Sequence, residues 1–128
     1  MIVITTYKNT KDFSSFSVDN LEKAKQFYTE ILGLHVSEEK EGLSLHVSGS
    51  IQIFIYPKSN HVPATYTVLN FLVDDVEQEV DNLANLGVKF EIYDNGELKT
   101  DKKGIHHGEP TIAWFKDPAG NFLSVLKE

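Results

Sequence analysis

Five histidines are the side chains of this 128-residue sequence best suited to proton transfer or metal ligation: His35, His46, His61, His106 and His107. There is no cysteine, so disulfides, thiolate metal sites and a cysteine nucleophile are excluded. His106 and His107, with Glu109 just behind, form the one cluster of metal-ligand residue types. Adjacent residues on an extended segment point to opposite faces, so this pair suits a loop surface better than a chelate. His46 stands between Ser44 and Ser48 on the polar side of an alternating segment, either solvated or as a hydrogen bonder lining a cleft. His61 lies among turn residues, and His35 follows a helix stop where a cation suits the helix dipole. Both read as structural or solvated. No serine has the Gly-x-Ser-x-Gly context of an activated nucleophile, and no glycine-rich phosphate loop occurs. The carboxylate pairs Glu38-Glu39 and Asp74-Asp75 read as an exposed strand and a helix cap. No catalytic residue is assigned on these grounds.

The elements that position these side chains are organised around residues 16–34, which read as a strand end, a capped helix and a glycine stop. Asp19 is the expected N-cap, with Glu22 completing a capping box. Leu21, Ala24, Tyr28, Ile31 and Leu32 recur at helical spacing, and Gly33 falls where a left-handed C-terminal residue is wanted. The pattern occurs twice. Phe71-Leu-Val-Asp-Asp-Val-Glu repeats Phe16-Ser-Val-Asp-Asn-Leu-Glu at an offset of 55, and Leu86-Gly87-Val88 answers Leu32-Gly33-Leu34 at 54. Two copies at this spacing indicate an internal duplication rather than a solenoid.

Strands are expected over residues 13–18, 35–40, 43–48 and 51–56, then 66–73, 88–93, 111–116 and 121–126, with helices over 20–32 and 75–86. Residues 2–7 are β-prone and read as an extra edge strand or a dimer contact, and 98–108 as a polar loop. Asp117-Pro-Ala-Gly is a type I turn. The fold class is therefore α+β: one domain over 1–128, with two tandem βαβββ modules (about 13–56 and 66–127) joined by a linker at 57–64. Each sheet covers one face with its helix and curls the other around a cleft.

Twelve basic and nineteen acidic residues give a net charge of −7 with no basic run, which argues against nucleic acid and anionic membrane surfaces as partners. No apolar run reaches membrane-spanning length and the start lacks a signal-peptide pattern, so a cytoplasmic location is expected.

The segments Val18-Asp-Asn-Leu-Glu-Lys-Ala24, Phe27-Tyr-Thr-Glu-Ile-Leu-Gly-Leu34, Phe71-Leu-Val-Asp-Asp75 and Asp117-Pro-Ala-Gly-Asn121 resemble the vicinal oxygen chelate superfamily. That superfamily contains glyoxalase I, bleomycin-resistance proteins, fosfomycin-resistance transferases and extradiol dioxygenases. The resemblance covers residues 13–127 and implies the fold without implying one activity. In metal-dependent members His, Glu or Gln side chains from the first strand of each module and from the last strands hold a divalent ion, a Lewis acid toward a chelating substrate. The positions here that correspond are Phe13, Val68 and Ser124, none a metal ligand. Neighbouring registers offer no His, Asp or Glu either, and Gln52 supplies one weak oxygen. The usual metal site is expected to be absent and no cofactor is assigned; a divalent metal enters only with the alternative of an enzyme that uses non-standard ligands.

Strand alternation places Phe13, Ser15 and Ser17, then Val68, Asn70 and Leu72, and later Phe122, Ser124 and Leu126, toward the cleft. His46, Trp114, Phe115 and Tyr56 are candidates to add to its wall. The ligand-binding set is then Phe13, Ser15, His46, Val68, Asn70, Trp114, Phe122 and Ser124. An apolar cleft with neutral hydrogen bonders suits holding a small organic molecule, as in the bleomycin-resistance branch, and open sheet edges suit a homodimer. The alternative is an enzyme of the superfamily, a glyoxalase-like lyase or isomerase before a dioxygenase, using Gln52, His46 or the His106-His107 region, or no metal.

Overall fold

The computed structural model describes residues 6–128. The β-prone opening segment lies mostly outside the described residues, and where it ends Tyr7–Asn9 forms a 3-10 turn. The first module runs β1 (Ser14–Val18), α1 (Leu21–Gln26), a π-helical turn (Phe27–Ile31), β2 (His35–Glu39), β3 (Gly42–His46) and β4 (Gln52–Pro57). The second runs β5 (Thr67–Leu72), α2 (Val76–Asn85), β6 (Ile105–His106), β7 (Thr111–Lys116) and β8 (Phe122–Lys127). The sheets repeat one topology, β1-β4-β3-β2 and β5-β8-β7-β6. In each, the first and last strands pair in parallel and the other pairs are antiparallel.

The helices begin one residue later than the sequence implies. Asn20, not Asp19, caps α1, its Oδ1 accepting from the Lys23 N–H at 3.0 Å. Its counterpart Asp75 caps α2 through the Gln78 N–H at 3.0 Å. The duplication is thus carried into the caps, where Asn and Asp do the same work.

The helix ends explain why the repeat offset falls from 55 to 54. Tyr28 and Leu83 are both buried and occupy equivalent positions. From Leu83 the closing bond returns from the Val88 N–H, but from Tyr28 it returns from the Leu34 N–H, one residue further along. The extra residue is absorbed by the π turn, in which the Leu32 N–H reaches back to the Phe27 carbonyl. Both helices then stop on a glycine at positive φ, Gly33 (+67°) and Gly87 (+95°).

Register assigns the faces. Val18, Ile53, Ile55, Leu43 and Leu45 lie toward α1 and are buried with Ala24 and Tyr28. Leu69, Val125, Leu123, Ala113 and Phe115 lie toward α2, with Val76, Val80 and Leu83. Phe115, a candidate cleft aromatic, is therefore core: it is wholly buried, with its ring centroid 6.5 Å from that of Phe27 and 5.3 Å from that of Phe90. Alternation sends every second residue of a strand to the helix side, and Phe115 takes that side while Trp114 does not.

The outer edge of the second sheet also departs from expectation. Residues 88–93 form no strand; Phe90 alone bridges Phe115, while Ile105 and His106 pair with Ala113 and Ile112. Two separate pieces thus lie along β7, divided by the excursion 92–104. The polar segment expected as loop over 98–108 contains the second piece. An edge strand needs a partner on one side only, so an insertion there breaks few backbone bonds.

Candidate functional site

The faces turned away from the helices are the inner faces. On the first sheet, Ser15 pairs with Phe54 and Ser17 with Tyr56, while Ser44 lies on the other side of Phe54. The Phe54 and Tyr56 rings are stacked with centroids 6.1 Å apart, and Phe13 meets Phe54 edge-on at 6.4 Å. These rings form an aromatic strip flanked by serine hydroxyls. Phe13 is 71 % exposed and Ser15 is exposed, so the strip is open to a ligand. A groove of about 630 Å³ lies at one end of this face, lined by Phe54, Tyr56, Gly42, Glu39, Leu21 and Pro57.

His46 lies on the same face near the opposite end of the sheet. It is half-buried, and its Nε2 is 2.7 Å from Ser37 Oγ, so a hydrogen-bonded side chain replaces the solvated alternative. On the second sheet, Asn70, Ser124 and Trp114 make a row across β5, β8 and β7. Ser124 Oγ donates to Asn70 Oδ1, and Trp114 meets Tyr93 edge-on at 5.7 Å. Phe122 lies under the Lys116 ammonium, 5.0 Å from its ring centroid. Val68 sits within the bulge of β5 and is half-buried.

The eight sequence candidates thus divide between the two sheets, with Phe13, Ser15 and His46 on the first and Val68, Asn70, Trp114, Phe122 and Ser124 on the second. Phe54 was not among them, although the alternation Gln52-Ile53-Phe54-Ile55-Tyr56 places it on the same face as Tyr56. The positions the resemblance assigns to metal ligands do not fit an ion: Phe13 is a ring packed on Phe54, Val68 is aliphatic, and the Ser124 hydroxyl is buried and bonded to Asn70. Among the described residues, no three His, Cys, Asp or Glu side chains come together.

The two family-like motifs meet in one buried network between the modules. Asp117, 4 % exposed, takes the Ala119 and Asn121 N–H groups on Oδ1 and the Tyr28 hydroxyl on Oδ2 at 2.7 Å. Asn121 Nδ2 donates both to Asp117 Oδ2 and to the Ser17 carbonyl. Burial, reinforced by the negative charge of Asp117, holds the Tyr28 proton far above the usual tyrosine range. His61 fastens the linker to both modules. Its Nε2 faces the Ala119 carbonyl at 3.0 Å, and a carbonyl only accepts, so Nε2 carries the proton. Nδ1 pairs with Ser17 Oγ at 2.7 Å. These side chains hold modules together, and their polar atoms are spent doing so.

A family model described as Glyoxalase/Bleomycin resistance protein/Dioxygenase superfamily matches residues 12–125. Among solved structures, a genomically encoded fosfomycin resistance protein from Listeria monocytogenes superposes with a TM-score of 0.69 at 15% identity, covering 94% of this chain and 93% of that one. A lactoylglutathione lyase from Agrobacterium tumefaciens gives 0.66 at 18%, covering 93% of each chain. An antibiotic binding protein from Streptomyces sp. CB03234 gives 0.62 at 23%, covering 93% of this chain and 97% of that one. A search of curated protein sequences gives no match. At these identities the structural likeness shows the fold alone.

Proposed function

Because the chain belongs to the glyoxalase/bleomycin resistance protein/dioxygenase superfamily, we propose that it is a cytoplasmic protein that binds a small organic molecule on its inner faces, without a metal at the superfamily's usual positions. The observation that carries this is the strip Phe13–Phe54–Tyr56, an open aromatic surface bordered by Ser15 and Ser17. Stacking and neutral hydrogen bonding hold a planar aromatic compound, and the net charge of −7 favours a cationic one. The antibiotic-binding neighbour shares the fold with a protein whose described role is binding. The inner face of the second sheet also exposes apolar Leu72, at 68 %, which a second copy would cover; a homodimer is part of the proposal.

The test is a thermal-unfolding screen of chelator-treated protein against aromatic and cationic drugs, with light scattering for the oligomeric state. A ligand at a hundredfold excess over its dissociation constant stabilises by about 2.7 kcal/mol. Phe54→Ala should abolish that shift while retaining a native circular-dichroism spectrum. No shift from any compound, or an unchanged shift in Phe54→Ala, overturns the binding site. A monomer in solution overturns the dimer. Turnover of a hemithioacetal would favour the lyase alternative.

A further inference from the structure

The end of the first sheet remote from the groove carries a constellation that lies outside the aromatic strip Phe13–Phe54–Tyr56. His35 on β2 lies directly opposite His46 on β3, and His46 lies opposite Gln52 on β4. Paired residues on neighbouring strands share a face, so two imidazoles and an amide stand in one row. The imidazole centroids of His35 and His46 are 4.7 Å apart. The other histidines are differently engaged: His61 uses both ring nitrogens, His106 Nδ1 meets the Lys99 carbonyl, and His107 Nε2 meets Asp101.

We propose that His35 and His46, assisted by the Gln52 side-chain oxygen, form a binding site for a late first-row divalent metal ion. His35 is exposed, and among the described residues no hydrogen bond engages either of its ring nitrogens. His46 is oriented by Ser37 Oγ at its Nε2; when Nε2 carries the proton, Nδ1 presents a free lone pair. Metal-bound histidines commonly have such a partner on the second nitrogen, which fixes the ring and its tautomer. Two imidazoles suit Cu(II), Ni(II) and Zn(II), whereas Mg(II) and Ca(II) prefer oxygen cages. The site uses β2, β3 and β4, not the positions at Phe13, Val68 and Ser124 that the resemblance assigned. His35 and Glu39 stand at opposite ends of β2, separated by roughly 13 Å at strand rise, so the site is distinct from the groove.

This inference does not rest on the binding of an organic ligand, and its test uses none. Full-length protein is titrated with Zn(II) and Ni(II) by calorimetry. Sub-stoichiometric Cu(II) is then added to histidine-labelled protein and the ring resonances are followed by NMR. Saturable Zn(II) and Ni(II) binding is expected, with His35 and His46 broadened by Cu(II) before His61, His106 and His107. His35→Gln, at an exposed position that leaves the core untouched, should weaken affinity about tenfold or more, and Gln52→Ala less. The double variant His106→Gln/His107→Gln should bind like the parent. No saturable binding below millimolar metal, unchanged affinity in His35→Gln, or loss in the His106/His107 variant overturns the site. Drug binding that persists in His35→Gln keeps the two sites separate.

Discussion

Removing the Tyr28 hydroxyl tests whether the modules are tied together by the buried carboxylate. In Tyr28→Phe, Asp117 Oδ2 keeps only the Asn121 Nδ2 donor, at 3.1 Å, and gains no water because Asp117 is 4 % exposed. A hydrogen bond to a charged group contributes about 1.5–3 kcal/mol, and the ring itself still fills its wholly buried site. At about 3–5 °C per kcal/mol for a chain of this length, Tm falls by roughly 5–15 °C. Urea unfolding would be followed by Trp114 fluorescence, which reports the second module, and by far-ultraviolet circular dichroism, which reports both. Tyr93→Phe is the control, since the hydrogen bonds of Tyr93 are made by its backbone. A double-mutant cycle with Asp117→Asn should give a coupling of about 1 kcal/mol or more. A loss under about 0.5 kcal/mol in Tyr28→Phe, or a coupling near zero, would refute the argument that this contact carries the junction.

Two further outcomes follow from the same helix and network. Folded Tyr28 keeps its proton far above pH 10, the ordinary tyrosine range in which the unfolded chain ionises. The contribution is therefore complete below pH 10 and falls as pH rises beyond it, by roughly 1.4 kcal/mol at pH 11. Alkaline urea titrations should show that slope in the parent and lack it in Tyr28→Phe. Deleting exposed Glu30 should convert the π turn to ordinary α-helix, since the second module reaches its glycine with one residue fewer. A stability change of about 1 kcal/mol or less is expected by thermal unfolding; deletion of Asn82 from α2, which has no spare residue, should cost clearly more, and equal losses would refute the assignment.

The duplication was readable because both copies must solve the same local problem. A helix leaving a strand needs a capped start and a left-handed stop, and those needs fixed the pairs Asp19-Asn20/Asp74-Asp75 and the glycines Gly33/Gly87 in the chain. Glu22, expected to complete a capping box, stands one place too early for one on Asn20. The choice between Asp19 and Asn20 was not readable: both are good caps, and only backbone angles decide which lies outside the helix. The offset change from 55 to 54 did hold the π turn, in the form of one surplus residue. The split edge was hidden because a two-residue strand has no periodicity, and Phe90 pairs through a single bridge.

The site was harder to read than the fold for a reason visible in Asp117. The residues that made the resemblance recognisable satisfy backbone and buried polar groups: Asp117 holds its own turn and Tyr28, Asn121 reaches Ser17, and Gly33 ends the helix. Such roles tolerate few alternatives, so they leave a fixed pattern in the chain. The inner faces are under no comparable constraint from the fold. Phe54 or His46 can be exchanged for another side chain without leaving a backbone group unpaired, because their strands bond through the main chain. A pattern that specifies the scaffold therefore says little about the ligand, and the identities at Phe13, Phe54, His35, His46 and Gln52 are where this chain's own chemistry has to be sought.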